Sequence, residues 1–162
     1  MDLVSLARSL PRHEFIAECP FPLLLSVNEP VETPGELFSD EVTQSHQRPV
    51  QPPATEPVKK LVLYPVRKVH SILPHGIVVG RIAGCDVVIA DRHVSKAHAL
   101  FQENGGKWSL SDIGSHNGTH VNHQKVMPRG AAVPLAYGDI VSFAFRTFYF
   151  LDAGQAWDKV RP

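Results

Sequence analysis

Cysteine is scarce in this 162-residue chain, with only Cys19 and Cys85 present. They stand far apart and have no metal-ligand spacing, so the sequence offers neither a disulfide framework nor a zinc module. Net charge is missing too: 16 Lys or Arg balance 16 Asp or Glu. Long hydrophobic runs are lacking, and the longest, "FPLLLSV" at 21–27, is far too short to span a bilayer. The N-terminus, "MDLVSLARSL", has an acid at position 2 and no apolar signal core. These absences point to a soluble, cytoplasmic protein that uses neither a membrane nor nucleic acid as partner. No internal repeat occurs. "GRIAGCD" lacks the glycines and the following helix of a nucleotide-binding loop.

What is present is unevenly spread. Residues 1–60 carry five Lys or Arg against nine Asp or Glu, whereas residues 61–151 carry nine against five. A balance of +4 with scattered lysines is too weak for a general nucleic-acid surface and suits a small, localised anionic partner. Nine of the fourteen prolines lie in the first 60 residues. "RPVQPPATEPVKK" (48–60) cannot continue a helix or a central strand and reads as an extended linker. Residues 1–57 are therefore expected to be an acidic, Pro-rich, mostly irregular arm with some local order. Within it, "DLVSLARSL" suits a short amphipathic helix, and "EFIAECPFPLLLSV" a strand or a docking segment. Residues 58–152 form the expected domain. Residues 153–162 are a tail in which Trp157 suits a packed helix, although the sequence leaves open whether one forms.

From residue 61 short apolar runs recur with turns between them, among them "LVLYPV", "GIVVG", "HALFQE", "KWSLSD", "IVSFAF" and "TFYFL". Several alternate with period two: Trp108, Leu110 and Asp112 share one face, Lys107, Ser109 and Ser111 the other. Helical periodicity is absent until about residue 152. Many short strands at close spacing predict an all-β sandwich, whose loops carry function.

Those loops contain Gly80-Arg81, then "SKAH" (95–98), then "GSHNGT" (114–119). In this order and at this spacing the residues 79–122 resemble a forkhead-associated (FHA) domain, and the downstream "LAYGDIVSF" matches that family's strand entry. The resemblance implies an eleven-strand β-sandwich that recognises phosphothreonine in partner proteins. The chemistry of the residues agrees. Phosphothreonine carries about −1.5 to −2 charges and three strong acceptor oxygens. Arg81 offers a planar fork matched to phosphate, Ser95 a hydroxyl and Lys96 a mobile charge.

The resemblance implies that Arg81, Ser95 and Lys96 touch the phosphate, and that Asn117 holds the peptide backbone. It implies a further phosphate donor at His116 and a part for His93 in selecting the residue three places after the phosphothreonine. His98 braces the phosphate loop, Gly80 leaves room for a sharp bend, and Gly118 and Thr119 shape the loop. Two departures from the family pattern stand out. His123 replaces the Gly of an Asn-Gly turn, which predicts a distorted turn, and Phe143-Ala144 replaces Phe-Gly.

Ser95, His98 and Asp112 can be written as a hydrolase triad, but no Gly-x-Ser-x-Gly elbow is present and Ser95 follows a β-branched residue. The histidines (70, 75, 93, 98, 116, 120, 123) have no standard ligand spacing. The reading is a binding module with no enzymatic activity, metal or cofactor, whose partner is a Ser/Thr kinase or its substrate. Thr33, Thr43 and Thr55 in the arm raise self-association through a phosphorylated arm. The alternative is a phosphate-independent scaffold whose "EFIAECPFPLLLSV" segment carries partner binding.

Overall fold

The computed structural model describes residues 1–29, 60–69 and 73–161. The linker 48–59, the arm threonines Thr33, Thr43 and Thr55, and His70 lie outside the described residues. Eleven strands build two facing sheets. One contains β1 (Leu23–Glu29), β2 (Lys60–Pro65), β7 (Thr119–Val121), β8 (Gln124–Lys125), β10 (Ile140–Phe143) and β11 (Arg146–Leu151), in the order β2-β1-β11-β10-β7-β8. The other contains β3 (Ile77–Gly80), β4 (Val87–Val88), β5 (Ala99–Asn104), β6 (Lys107–Asp112) and β9 (Val133–Leu135), in the order β4-β3-β5-β6-β9. Among the described residues three helices accompany them: α1 (Leu3–Ser9), α2 (Arg12–Glu18) and α3 (Ala153–Val160). None of the helices among the described residues is long and apolar enough to cross a membrane.

The predicted alternation sets the core. In β5 Ala99 and Phe101 are buried while Leu100 is half-buried, and in β6 Leu110 and Asp112 point inward. Antiparallel register places Phe101 opposite Leu110 and Ala99 opposite Asp112. Between the sheets Phe101 stacks on Phe150 with centroids 5.7 Å apart, and Phe143 contacts Phe101 and Phe148 edge-on or tilted. Burial of these rings supplies most of the inter-sheet cohesion.

Residues 1–29 carry more order than the mostly irregular arm with some local order expected of 1–57, and the amphipathic helix read in "DLVSLARSL" is α1. The "EFIAECPFPLLLSV" segment is two elements, because Pro20 and Pro22 end helix geometry after α2 and the chain re-enters as β1. β1 lies inside the first sheet, paired with β11 on one side and β2 on the other. Its run of leucines is buried on both faces: Leu24 joins the inter-sheet core, whereas Leu23 and Leu25 face a second apolar cluster. That cluster covers the outer side of the sheet with Val4 and Ala7 of α1, Phe15 of α2, and Ala153, Ala156 and Val160 of α3. A continuous apolar run buried on two faces is what an interior strand covered by helices requires.

Helices α1 and α3 start on side-chain caps. The Asp2 carboxylate accepts from the Ser5 amide at 2.9 Å to start α1. The C-terminal helix that the sequence left open is formed as α3, and Asp152 and Gln155 make a reciprocal capping box at its start. Trp157 ties it to the N-terminal region by donating from Nε1 to the Leu10 carbonyl at 3.0 Å.

Candidate phosphopeptide site

The candidate residues converge where the loop between β4 and β5 meets the loop between β6 and β7. Arg81, Arg92, His93, Ser95, Lys96, His116 and Asn117 line an open groove of about 440 Å³, together with Val94 and Ala97. The two loops reach each other through a few bonds around Ser95. Its carbonyl accepts from the Arg81 amide at 3.0 Å, and its amide donates to His98 Nδ1 at 3.0 Å. Its Oγ accepts from the His116 amide at 3.0 Å. With that lone pair used, the hydroxyl proton remains for an anion.

Arg81 Nε donates to the Val94 carbonyl at 3.1 Å. Of the three Arg81 guanidinium nitrogens, Nε alone meets a protein partner among the described residues, so both terminal nitrogens remain for a planar, bidentate acceptor. Lys96 is exposed on the groove wall. Asn117 Nδ2 donates to the His93 carbonyl at 2.8 Å, joining the two loops and leaving Oδ1 to accept.

Gly80 works by close approach, not by bending. Its φ is not positive, but a Cβ there would sit 2.2 Å from the Lys96 carbonyl oxygen and 2.7 Å from Cys85 Sγ. Only glycine lets the end of β3 lie against the 95–97 loop. Gly118 has a φ of +88°, in the left-handed region that glycine adopts freely.

His98 is wholly buried. Its Nδ1 accepts from Ser95, so its Nε2 carries the proton and donates to the Gly118 carbonyl at 3.0 Å. One neutral imidazole therefore spans both loops, with Phe143 edge-on at 5.7 Å. Burial pushes its pKa below the ordinary histidine value, against the opposing pull of the Gly118 carbonyl and the Asp112 carboxylate. Both ring nitrogens are committed, and neither bonds to Ser95 Oγ or Asp112, so no Ser–His–Asp relay is assembled.

Asp112, which the sequence offered only as a face residue and a possible triad member, has a role that reading missed. Its buried carboxylate accepts from the amides of Gly114 and Ser115 at 2.8 Å each, from Thr119 Oγ1 at 2.7 Å and from the Ser115 hydroxyl. Ser115 Oγ in turn accepts from the Gly118 amide at 3.0 Å. Burial raises the Asp112 pKa, but these bonds outweigh it and hold the carboxyl below the usual carboxylate range. The signal lay in "DIGS": an aspartate whose side chain meets amides two and three residues on makes an Asx turn. Thr119 serves this network, as a loop-shaping residue should. Arg92 was also missed, since no motif marks it.

His93 sits at one end of the groove. Its amide and its Nδ1 both reach Asp91 Oδ1, at 2.8 and 3.0 Å, and Arg146 Nε lies 3.8 Å from the other Asp91 oxygen. Burial raises the Asp91 pKa, but the His93 bonds and the Arg146 charge outweigh it, and the net shift is downward. The turn with His123 is kept, not distorted. Asn122 and His123 have φ of 48° and 67°, as a two-residue hairpin loop requires. Ala144 takes φ of 55°, standing in for glycine without loss of the turn. Among the described residues no group of three or more His, Cys, Asp or Glu is placed to hold a metal.

Comparison with known proteins agrees with this geometry. Residues 77–144 match the FHA domain family model. A solved FHA domain of an Arabidopsis thaliana hypothetical protein is 30% identical, over 48% of this chain and 69% of that one, with a TM-score of 0.44. Residues 77–144 belong to the FHA domain family. The glycogen accumulation regulator GarA of Mycolicibacterium smegmatis is 38% identical over 49% of this chain and 48% of its own length. An oxoglutarate dehydrogenase inhibitor of Corynebacterium jeikeium is 34% identical over 47% of this chain and 50% of its own length. The chain thus spans about half the length of these curated relatives. The matched FHA segment starts at β3, so β1, β2 and the helices lie outside it.

Proposed function

We infer that this FHA domain binds phosphothreonine peptides and acts as a recruiting module in Ser/Thr kinase signalling, its partner being a kinase or a kinase substrate. Arg81, Ser95 and Lys96 hold the phosphate, His116 adds a donor from the facing loop, and Asn117 engages the peptide backbone. The observation that carries this reading is the arrangement around Ser95. Three backbone and ring contacts fix the residue, yet its hydroxyl proton stays available in the groove that Arg81 also lines. Preorganised, charge-assisted donors of this kind suit a dianion with three acceptor oxygens.

A degenerate phosphothreonine peptide library, its unphosphorylated twin and a phosphoserine twin, each titrated by fluorescence anisotropy, test the reading. Binding confined to the phosphothreonine set is expected. Equal binding of the unphosphorylated set contradicts it.

A phosphorylated arm threonine is a natural ligand for the groove, within one molecule or between two, given the acidic residues 1–60 and the basic residues 61–151. Changing Thr33, Thr43 and Thr55 to valine should then raise the affinity of kinase-treated protein for outside phosphopeptides. No change in affinity argues against this self-recognition. The scaffold alternative loses its main support, because Phe15, Cys19, Leu23, Leu24 and Leu25 of the supposed docking segment are buried within the chain.

A further inference from the structure

The helical layer leaves a hollow of about 770 Å³ where the last turns of α1 and α3 meet the start of β2. Arg8, Leu61, Lys159, Val160 and Arg161 line it, and none of them belongs to the phosphopeptide groove. Leu61 and Val160 give it an apolar part that continues the second core cluster. The two arginines are fixed by a reciprocal clasp. Arg8 Nε donates to the Val160 carbonyl at 3.2 Å, and Arg161 Nη2 donates to the Arg8 carbonyl at 2.8 Å. Two aromatic rings hold the other ends: Trp157 lies 4.3 Å below the Arg161 guanidinium, and Tyr149 lies 4.7 Å from Lys159 Nζ.

A cation in the last turn of a helix offsets its dipole, which accounts for the sign of Arg8 and Lys159. It does not account for three cations around one hollow. Among the described residues no carboxylate pairs with any of them, whereas Arg12 on α2 meets Asp158 at 3.3 Å. Like charges gathered this way repel one another, and an anion placed among them is stabilised.

The chain has a matching segment attached beside the hollow. β1 ends at Glu29 and β2 starts at Lys60, these two residues are paired, and Leu61 of the hollow follows directly. The connecting residues lie outside the described ones. Their sequence includes "ELFSDEV" (36–42), in which Glu36, Asp40 and Glu41 bracket Leu37 and Phe38. That mixture of acids and apolar side chains complements three cations and an aliphatic wall. Glu36 stands seven residues after Glu29, a reach of up to about 25 Å in extended chain.

We propose that this hollow is a docking site for the unphosphorylated segment 36–42 of the same chain, an acidic, amphipathic ligand. The inference goes beyond the phosphopeptide reading, since it needs no phosphate and stands or falls separately from the groove.

Fluorescence anisotropy of a labelled peptide covering residues 32–43, titrated into the full chain, tests it. Wild type is compared with the triple variant Glu36→Gln, Asp40→Asn, Glu41→Gln, whose own segment no longer competes. The triple variant should bind the peptide about tenfold tighter or more, because a tethered segment at roughly millimolar local concentration fills the wild-type site. Raising the salt concentration should weaken that binding. Adding Lys159→Glu should weaken it about fivefold, and a peptide carrying lysine at 36, 40 and 41 should prefer that variant, which shows the fold intact. No binding to the triple variant, equal binding to both chains, or indifference to Lys159→Glu overturns the proposal. A scrambled peptide that binds as tightly makes the hollow a general surface for acidic partners. A wild-type dimer that the triple variant turns into a monomer in sedimentation assigns it to a second copy's segment. Either result overturns docking within the chain.

Discussion

The loops around 91–98 and 112–119 hold polar groups in place by bonds between side chains and backbone, at the surface, around an open groove. Residues 3–29 hold their place by burying apolar side chains against the back of a sheet, with capping bonds at the helix ends. The difference teaches where each region's fragility lies. In the loops a single acceptor, such as Asp112, organises several donors, so the damage from one change is local and shows in ligand binding. At the N-terminus each residue contributes area to one shared cluster, so damage spreads through the sheet.

The sharpest break of this comparison is removal of residues 1–29. That deletion takes β1 from between β2 and β11, and cooperative unfolding and phosphopeptide binding should disappear together. Phe15→Ala, a milder version, should cost about 3–5 kcal/mol in urea denaturation and leave the affinity of the remaining folded protein unchanged. Full binding by the truncated chain would show that the helices and β1 are an accessory. Asp112→Ala comes next: it orphans several donors and should cost about 2–3 kcal/mol of stability, with loss of peptide binding as the 113–118 loop loosens. Arg81→Ala reverses the pattern. Folding should be untouched, but phosphothreonine affinity should fall by about 1.5–3 kcal/mol, read by calorimetric titration.

How much of this was legible in the sequence follows from the same contrast. Arg81, Ser95, Lys96, His98, His116 and Asn117 belong to short motifs whose spacing and chemistry speak for themselves, and the structure brings all but His98 to one groove, with His98 buried beneath it. Asp112 escaped because its role depends on four donors that only the folded loop gathers. The place of β1 escaped for another reason. Its leucines read equally well as a strand or a docking surface, and part of what covers them is supplied by α3, more than a hundred residues away, together with α1 and α2. Long-range packing leaves no local signature. Gly80 was read as a site of sharp bending, whereas the constraint the fold shows there is the close approach of the Lys96 carbonyl, which is invisible in one dimension.

Two smaller effects sharpen the account of the loops. His98 is neutral in the folded state with its pKa lowered by burial, so below the ordinary histidine value near 6.5 the unfolded chain binds more protons. Stability should therefore hold above that pH and decline as pH falls toward the folded-state pKa, by at most about 1.4 kcal/mol per pH unit for the one proton. Urea midpoints between neutral and mildly acid pH check this, and a flat profile argues against the buried, doubly bonded imidazole. The smallest effect is expected from His123→Gly. Relieving a left-handed histidine in an exposed turn should raise stability by roughly 0.5–1 kcal/mol, seen as a higher melting temperature with no change in affinity.

Amide chemical-shift mapping of the isotope-labelled full chain during titration with a phosphothreonine peptide puts the two regions in direct competition. The account predicts the largest shifts at Arg81, Ser95, Lys96, His116 and Asn117, with the amides of α1, α2 and α3 unmoved. Shifts concentrated on the helical face, or the same shifts with an unphosphorylated peptide, would contradict it.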